Sequence, residues 1–340
     1  MRRPPLARVV TASLLLATAC AHGAASPPPP PEAVRWPEPP LAARVQLSAI
    51  LVGGVQPSSR SWWRAALSVV TGAAPESEQR LTLVRPFDVA EGPSGALWVA
   101  DPDGHRVLRF DAGGAFAGEI TCADRPWDAP MSVVAEGDGS ILVADAGAAA
   151  VVRWTPAACR VLRHDGLQRP TGIAASGGRI LVADPPAHQV IALSASGDEL
   201  ARWGERGDGA GQFQFPSDVA VGPDGSILVV DSLNFRIARL GPDGRWLGAF
   251  GAAGDAGAGF ARPKGIAVDA SGRVYVSDAQ RDVVLVFGAD GSLDFVLGAS
   301  GSRPGRLAHP AGVSVVGERI AVADSLNQRI QVFERLGGTP

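Results

Sequence analysis

Six aspartates, Asp101, Asp145, Asp184, Asp231, Asp278 and Asp324, follow six prolines at a distance of 14 or 15 residues. A ring of carboxylates could hold a metal or move protons. Its recurrence in every unit, whatever the surrounding loop, points instead to structural work. Each carboxylate is expected to accept hydrogen bonds from loop amides, and often from Arg106, Arg236 or Arg329. The Gly-rich runs over 207–211 and 254–259 precede strands rather than helices, so they do not read as phosphate loops. No nucleophile has a base nearby in sequence, and no cofactor motif or metal-ligand set emerges.

A second constellation is cationic. The residues just before the six prolines are Arg85, Ala129, Arg169, Phe215, Arg262 and His309, with Lys264 close by. Two residues beyond each proline stand Asp88, Ser132, Gly172, Asp218, Gly265 and Gly312. Converging arginines suit carboxylate or phosphate groups. The candidate binding set is therefore Arg85, Arg169, Phe215, Arg262, Lys264, His309, Asp88 and Asp218. Thirty of the 31 basic residues are Arg, and Lys264 is the only Lys. The formal charge of the whole chain is only −3, which gives no electrostatic footprint for nucleic acid.

The positioning elements follow from the repeat. The prolines open short apolar strands: Pro86, Pro130, Pro170, Pro216, Pro263 and Pro310. A tight Gly turn comes next, then a second apolar strand ending in the Asp. A third strand, another turn and a fourth strand complete the unit. Four short strands in a unit of 40–47 residues match the arithmetic of a β-propeller blade. Gly and Pro make up about a fifth of the 340 residues, which disfavours helical bundles. The sixth unit lacks its fourth strand, and an isolated apolar strand over 44–53 is placed to supply it and close the ring. The chain is thus read as all-β: a six-bladed propeller of four-stranded blades starting near 85, 129, 169, 215, 262 and 309. One face carries tight turns. The other carries the longer loops, such as 204–214 and 251–261, and is the functional candidate.

The sequences Asp231-Ser-Leu-Asn-Phe-Arg-Ile237 and Asp324-Ser-Leu-Asn-Gln-Arg-Ile330, with Gly-x-Phe before the next Pro, resemble the NHL repeat over residues 44–340. Asn234 and Asn327 share one place in that motif, where Asn is expected to serve a left-handed turn. The resemblance implies the fold. For function it allows enzymes, RNA binders, sensors and scaffolds. A metal-dependent lyase of this kind would need converging His and a Tyr. Here His22, His105, His164, His188 and His309 are scattered, and Tyr275 sits mid-strand. A lactonase-like calcium site would need Glu and Asn near the axis, and both Asn are assigned to turns. The chain is therefore expected to be a non-enzymatic binding or scaffold module with a protein partner. A lyase or lactonase-like hydrolase at the channel mouth is the alternative.

Ahead of the ring, residues 1–19 have the charged start and short apolar run of an export signal, and Cys20 ends a lipobox-like sequence. Residues 20–43 read as a lipid-anchored, Pro-rich spacer. This predicts a protein of the bacterial cell envelope, tethered to the outer membrane if the cell has one. A short helix is expected over 59–71, with Trp62 and Trp63 against the body. Cys122 and Cys159 fall at opposite ends of neighbouring outer strands, which argues against a disulfide between them.

Overall fold

The computed structural model describes residues 34–55, 80–163 and 165–337. The export signal, Cys20, most of the spacer and the helix expected over 59–71 lie outside the described residues.

Six antiparallel sheets form the ring, at 88–120, 130–163, 172–203, 216–250, 263–297 and 310–335. Blade 4 shows the plan: inner strand Pro216–Val221, second strand Ile227–Asp231, third strand Arg236–Leu240 and outer strand Trp246–Phe250. The second strands are apolar and buried along their whole length, as in Ile227–Asp231 and Ile141–Asp145. They are continuous rather than alternating because both faces of a blade are covered. Ile227 and Val229 pack with Leu181 and Ala183 of blade 3, while Leu228 and Val230 pack with Ile266 and Val276 of blade 5. Burying each such aliphatic side chain contributes roughly 1.5–3 kcal/mol.

Ring closure follows the expected route. The strand Val45–Leu51 pairs antiparallel with Arg329–Arg335, Val45 opposite Arg335 and Leu51 opposite Ile330. The sequence reading ended the spacer at residue 43, but the body begins earlier. Arg35–Trp36 adds a fifth strand to this blade, pairing with Val45 and Gln46. Trp36 is buried with Tyr275, Leu297, Leu307 and Phe333 between blades 5 and 6. Two residues carry no readable periodicity, so only this burial reveals the strand.

Cys122 and Cys159 form a disulfide, with Cα atoms 5.6 Å apart. This corrects the expectation drawn from the repeat. Adjacent strands rotate by roughly 20–25°, so three steps across a blade turn the outer strand by about 60–75°. Outer strands therefore lie nearly tangential to the ring. The end of one meets the start of the next, although the two positions are opposite in the repeat.

Candidate functional site

Each repeat aspartate is completely buried at the end of its second strand. In blades 1, 2, 3 and 5 the carboxylate accepts the N–H groups of both residues before the proline. These are Val84 and Arg85 on Asp101, Asp128 and Ala129 on Asp145, Gln168 and Arg169 on Asp184, and Ala261 and Arg262 on Asp278. Blades 4 and 6 differ. Asp231 accepts only Gln214 N–H from this segment, and Asp324 only Ala308 N–H. The Nδ2 groups of Asn234 and Asn327 fill the other acceptor positions, at 2.7 and 2.9 Å, beside Arg236 and Arg329.

This corrects the role expected for the two asparagines. They do not occupy the left-handed turn position; the residues after them do, Phe235 at φ 54° and Gln328 at φ 56°. The asparagines cross-link instead, because Nδ2 also donates to Gly207 O and Gly301 O in the long loops. The displaced amides of Phe215 and His309 turn to the preceding blade. Phe215 N–H donates to His188 Nδ1 at 3.3 Å and His309 N–H to Asp282 Oδ1 at 2.7 Å. Both residues adopt a left-handed backbone, φ 59° and 55°, which is uncommon outside glycine. Phe215 is held edge-on against the His188 ring at 5.6 Å and stands half-exposed at the rim.

The inner strands of blades 2, 4, 5 and 6 carry a bulge just inside the proline. In blade 5, Pro263 pairs with Asp278 and the next pair is Ile266 with Val276, leaving Lys264 and Gly265 outside the regular register. Ser217 is skipped in the same way in blade 4, and Ala311 with Gly312 in blade 6. A bulge re-aims side chains, so both the first and second residues after the proline face the axis. Of the ring between the residues before the proline and those two beyond it, the sequence singles out Lys264 alone; Phe87, Met131, Thr171, Ser217 and Ala311 complete it. Continuing the same register by one residue finds that ring.

Two cavities result. The outer, a depression of about 270 Å³, is lined by Arg85, Arg169, Arg262 and Lys264, with an apolar wall that includes Phe87, Met131, Pro186, Phe215 and Leu233. No acidic side chain lines it. Arg85 alone of these cations has a carboxylate partner among the described residues, Asp103 at 3.2 Å, and that pair is exposed. His309 is not part of the lining, yet burial and the charges of Lys264 and Arg262 hold its imidazole below the usual range. Lys264 Nζ lies 4.7 Å from the Phe87 ring centre. Burial, followed by repulsion from Arg262 and Arg85, lowers its amine to about 8.

The inner cavity, about 10 Å³ on the axis, holds Asp88 and Asp218. Both act as braces between blades. Asp88 accepts Ser132 Oγ–H at 2.7 Å and Val133 N–H at 3.0 Å from blade 2, and Asp218 accepts Ile266 N–H at 2.9 Å from blade 5. A Cβ on Gly312 would lie 2.0 Å from Asp88 Oδ1, so this close approach requires glycine. Desolvation raises Asp88 to about 6, and desolvation with the Asp88 charge pushes Asp218 well above the ordinary carboxylate range. The candidate set thus separates. Arg85, Arg169, Phe215, Arg262 and Lys264 share the mouth, His309 sits beside it, and Asp88 with Asp218 lies below.

The NHL repeat family matches residues 213–240 and 307–333, which are the first three strands of blades 4 and 6 with the residues leading into them. No curated protein matches the sequence. Among solved structures, a streptogramin B lyase superposes with a TM-score of 0.57 at 13% identity, covering 74% of this chain and 94% of the lyase. A gluconolactonase from Xanthomonas campestris gives 0.57 at 18% identity, covering 85% and 98%. A chain of a nidogen/laminin complex gives 0.53 at 15%, covering 82% and 98%. These likenesses establish the architecture. They also correct the expectation of a non-enzymatic protein, because the ring shared by this chain is the body of a named lyase and a named gluconolactonase.

Proposed function

We propose that the mouth is a small-molecule site for a compound with a carboxylate and an apolar body, and that Lys264 acts on the bound compound. The observation that carries this reading is the convergence of Arg85, Arg169, Arg262 and Lys264 on one depression without an acidic lining residue. Arg169, Arg262 and Lys264, without carboxylate partners among the described residues, leave charge beside an apolar wall to be matched by a ligand. Guanidinium forks hold carboxylates with two parallel hydrogen bonds. Phe215, Leu233 and Met131 offer an apolar surface for the remainder of the ligand. An amine near pKa 8 is partly unprotonated around neutral pH, so Lys264 can take up a proton or add to an electrophile.

The test is calorimetric titration of octanoate and phenylpropionate into the wild type and an Arg85→Ser/Arg169→Ser/Arg262→Ser variant. Hydrogen bonds to charged groups are worth about 1.5–3 kcal/mol, so the variant should bind at least about ten-fold more weakly. Binding should also weaken as salt rises. Substitution of Arg160 and Arg245, exposed residues remote from the mouth, should leave affinity unchanged. Equal loss in both variants, or no binding of either acid, would remove the mouth from consideration.

A further inference from the structure

A chain that uses Arg at 30 of its 31 basic positions places its one Lys at the bottom of the cationic mouth. The substitution matters chemically. A guanidinium stays protonated in proteins, whereas an amine can lose its proton and become a nucleophile. Lys264 lines both the mouth and the axial cavity below it. The bulge turns it towards the axis, and Ser217 Oγ–H fixes its backbone by donating to Lys264 O at 2.8 Å. Its Nζ rests over the Phe87 ring and has no carboxylate partner among the described residues. Lysine amines activated catalytically are found in apolar pockets or beside another cation. Lys264 has both surroundings.

We propose that Lys264 captures the carbonyl of an oxo acid as an imine. The proposal rests on the mouth being a carboxylate site: Arg85 and Arg262 hold the acid group, which brings the neighbouring carbonyl carbon to the amine. The neutral amine adds its lone pair to that carbon, and the C=O π pair moves to oxygen. Proton transfer from nitrogen to oxygen gives a carbinolamine. The nitrogen lone pair then forms the C=N bond as hydroxide leaves, and the remaining nitrogen proton passes to that hydroxide, which departs as water. No oxidant or reductant is consumed. The electrophile class follows from reversibility. Attack by Lys264 on an ester or lactone would leave a stable amide and end turnover, whereas water returns an imine to amine and carbonyl.

The probes are pyruvate, 2-oxooctanoate and phenylpyruvate with sodium cyanoborohydride, read by peptide mass mapping of the purified protein. A reduced adduct is expected on Lys264, saturable and suppressed by octanoate. Arg85, Arg262 and His309 lie close enough to act on the amine electrostatically, and Asp88 with Asp218 lines the cavity beneath. Burial, followed by the charges of Arg262 and Arg85, raises the proton's cost there, so labelling should climb through a midpoint of about 8 rather than above 10. Lys264→Arg should abolish the adduct, and Arg262→Ser should cut labelling about ten-fold and move the midpoint up. Octanoate binding at the mouth without a Lys264 adduct would overturn the imine and leave the carboxylate site standing. Absence of both binding and labelling would overturn the two readings together.

Discussion

In blades 4 and 6 the buried aspartate takes one amide from the segment before its proline and gives its remaining capacity to Asn and Arg; in blades 1, 2, 3 and 5 it takes two such amides. The first arrangement ties a long loop to the carboxylate through a side chain and forces the next residue into a left-handed backbone. The second holds that residue directly and leaves it relaxed. The consequence reaches the mouth. Arg85, Arg169 and Arg262 come from blades of the second kind, while Phe215 and His309 are presented by blades of the first kind. One repeated carboxylate thus supplies two ways of aiming a side chain at the same opening, and the two motif-bearing blades are those that the NHL repeat family matches.

The largest expected effect tests the carboxylate itself. Asp324 is completely buried and accepts Ala308 N–H, Asn327, Arg329 and Gln331. Asp324→Ala strands a guanidinium that is 10% exposed, and breaking such a buried pair costs about 3–5 kcal/mol. Asp184 accepts two backbone amides, at 2.7 and 2.9 Å. Its loss to Ala should cost about 2 kcal/mol. Denaturant unfolding of the two variants measures the gap. Equal destabilisation would show that Asn and Arg add nothing to the carboxylate's role.

Blades 1 and 2 lack the Asn-x-Arg motif and carry a covalent staple instead. The Cys122–Cys159 bond closes a loop of 37 residues. On the chain-entropy account its removal should cost about 3–4 kcal/mol. The Cys122→Ser/Cys159→Ser protein should melt earlier than the wild type by that margin and retain octanoate binding, since the bond lies on the outer strands. A variant of unchanged stability would mean that the packing of Trp127 and Trp154 against this junction is sufficient.

How much was legible in the sequence depends on whether a feature repeats. Period and strand count repeat, and the Pro-to-Asp spacing makes them readable; ring closure is readable from the strand that the sixth repeat lacks. Arg85, Arg169 and Arg262 could be placed together because register alone brings pre-proline residues to one rim. What depends on accumulated twist, or on which acceptor a side chain reaches, does not repeat in sequence. The disulfide was missed because outer strands turn away from the axis. The Asn role was misassigned by one residue because the carboxylate, not the turn, takes the amide. Met131 was missed because a bulge suspends the alternation used to sort faces, and Phe87 because it stands ahead of the first paired residue of its strand, Asp88.

The smallest expected effect is also the most discriminating, because it changes sign between the two kinds of blade. Phe215 and His309 have φ of 59° and 55°, while Arg169 and Arg262 are not in the left-handed region. Comparing each residue's Ala and Gly variants cancels the lost side chain and leaves the backbone. Ala in a left-handed conformation pays a steric cost that Gly avoids, so Gly should exceed Ala in stability by about 1 kcal/mol at 215 and 309. At 169 and 262 no strain is relieved, and Gly's greater unfolded-state entropy should make it the less stable by about 0.5–1 kcal/mol. All four substitutions lie at the exposed or partly exposed rim, outside the apolar clusters between blades, so repacking does not compete with this difference. Denaturant midpoints for the eight variants decide the matter. If Ala is the more stable residue at all four positions, Asn234 and Asn327 do not reshape the segment before the proline, and the two kinds of blade aim their mouth residues alike.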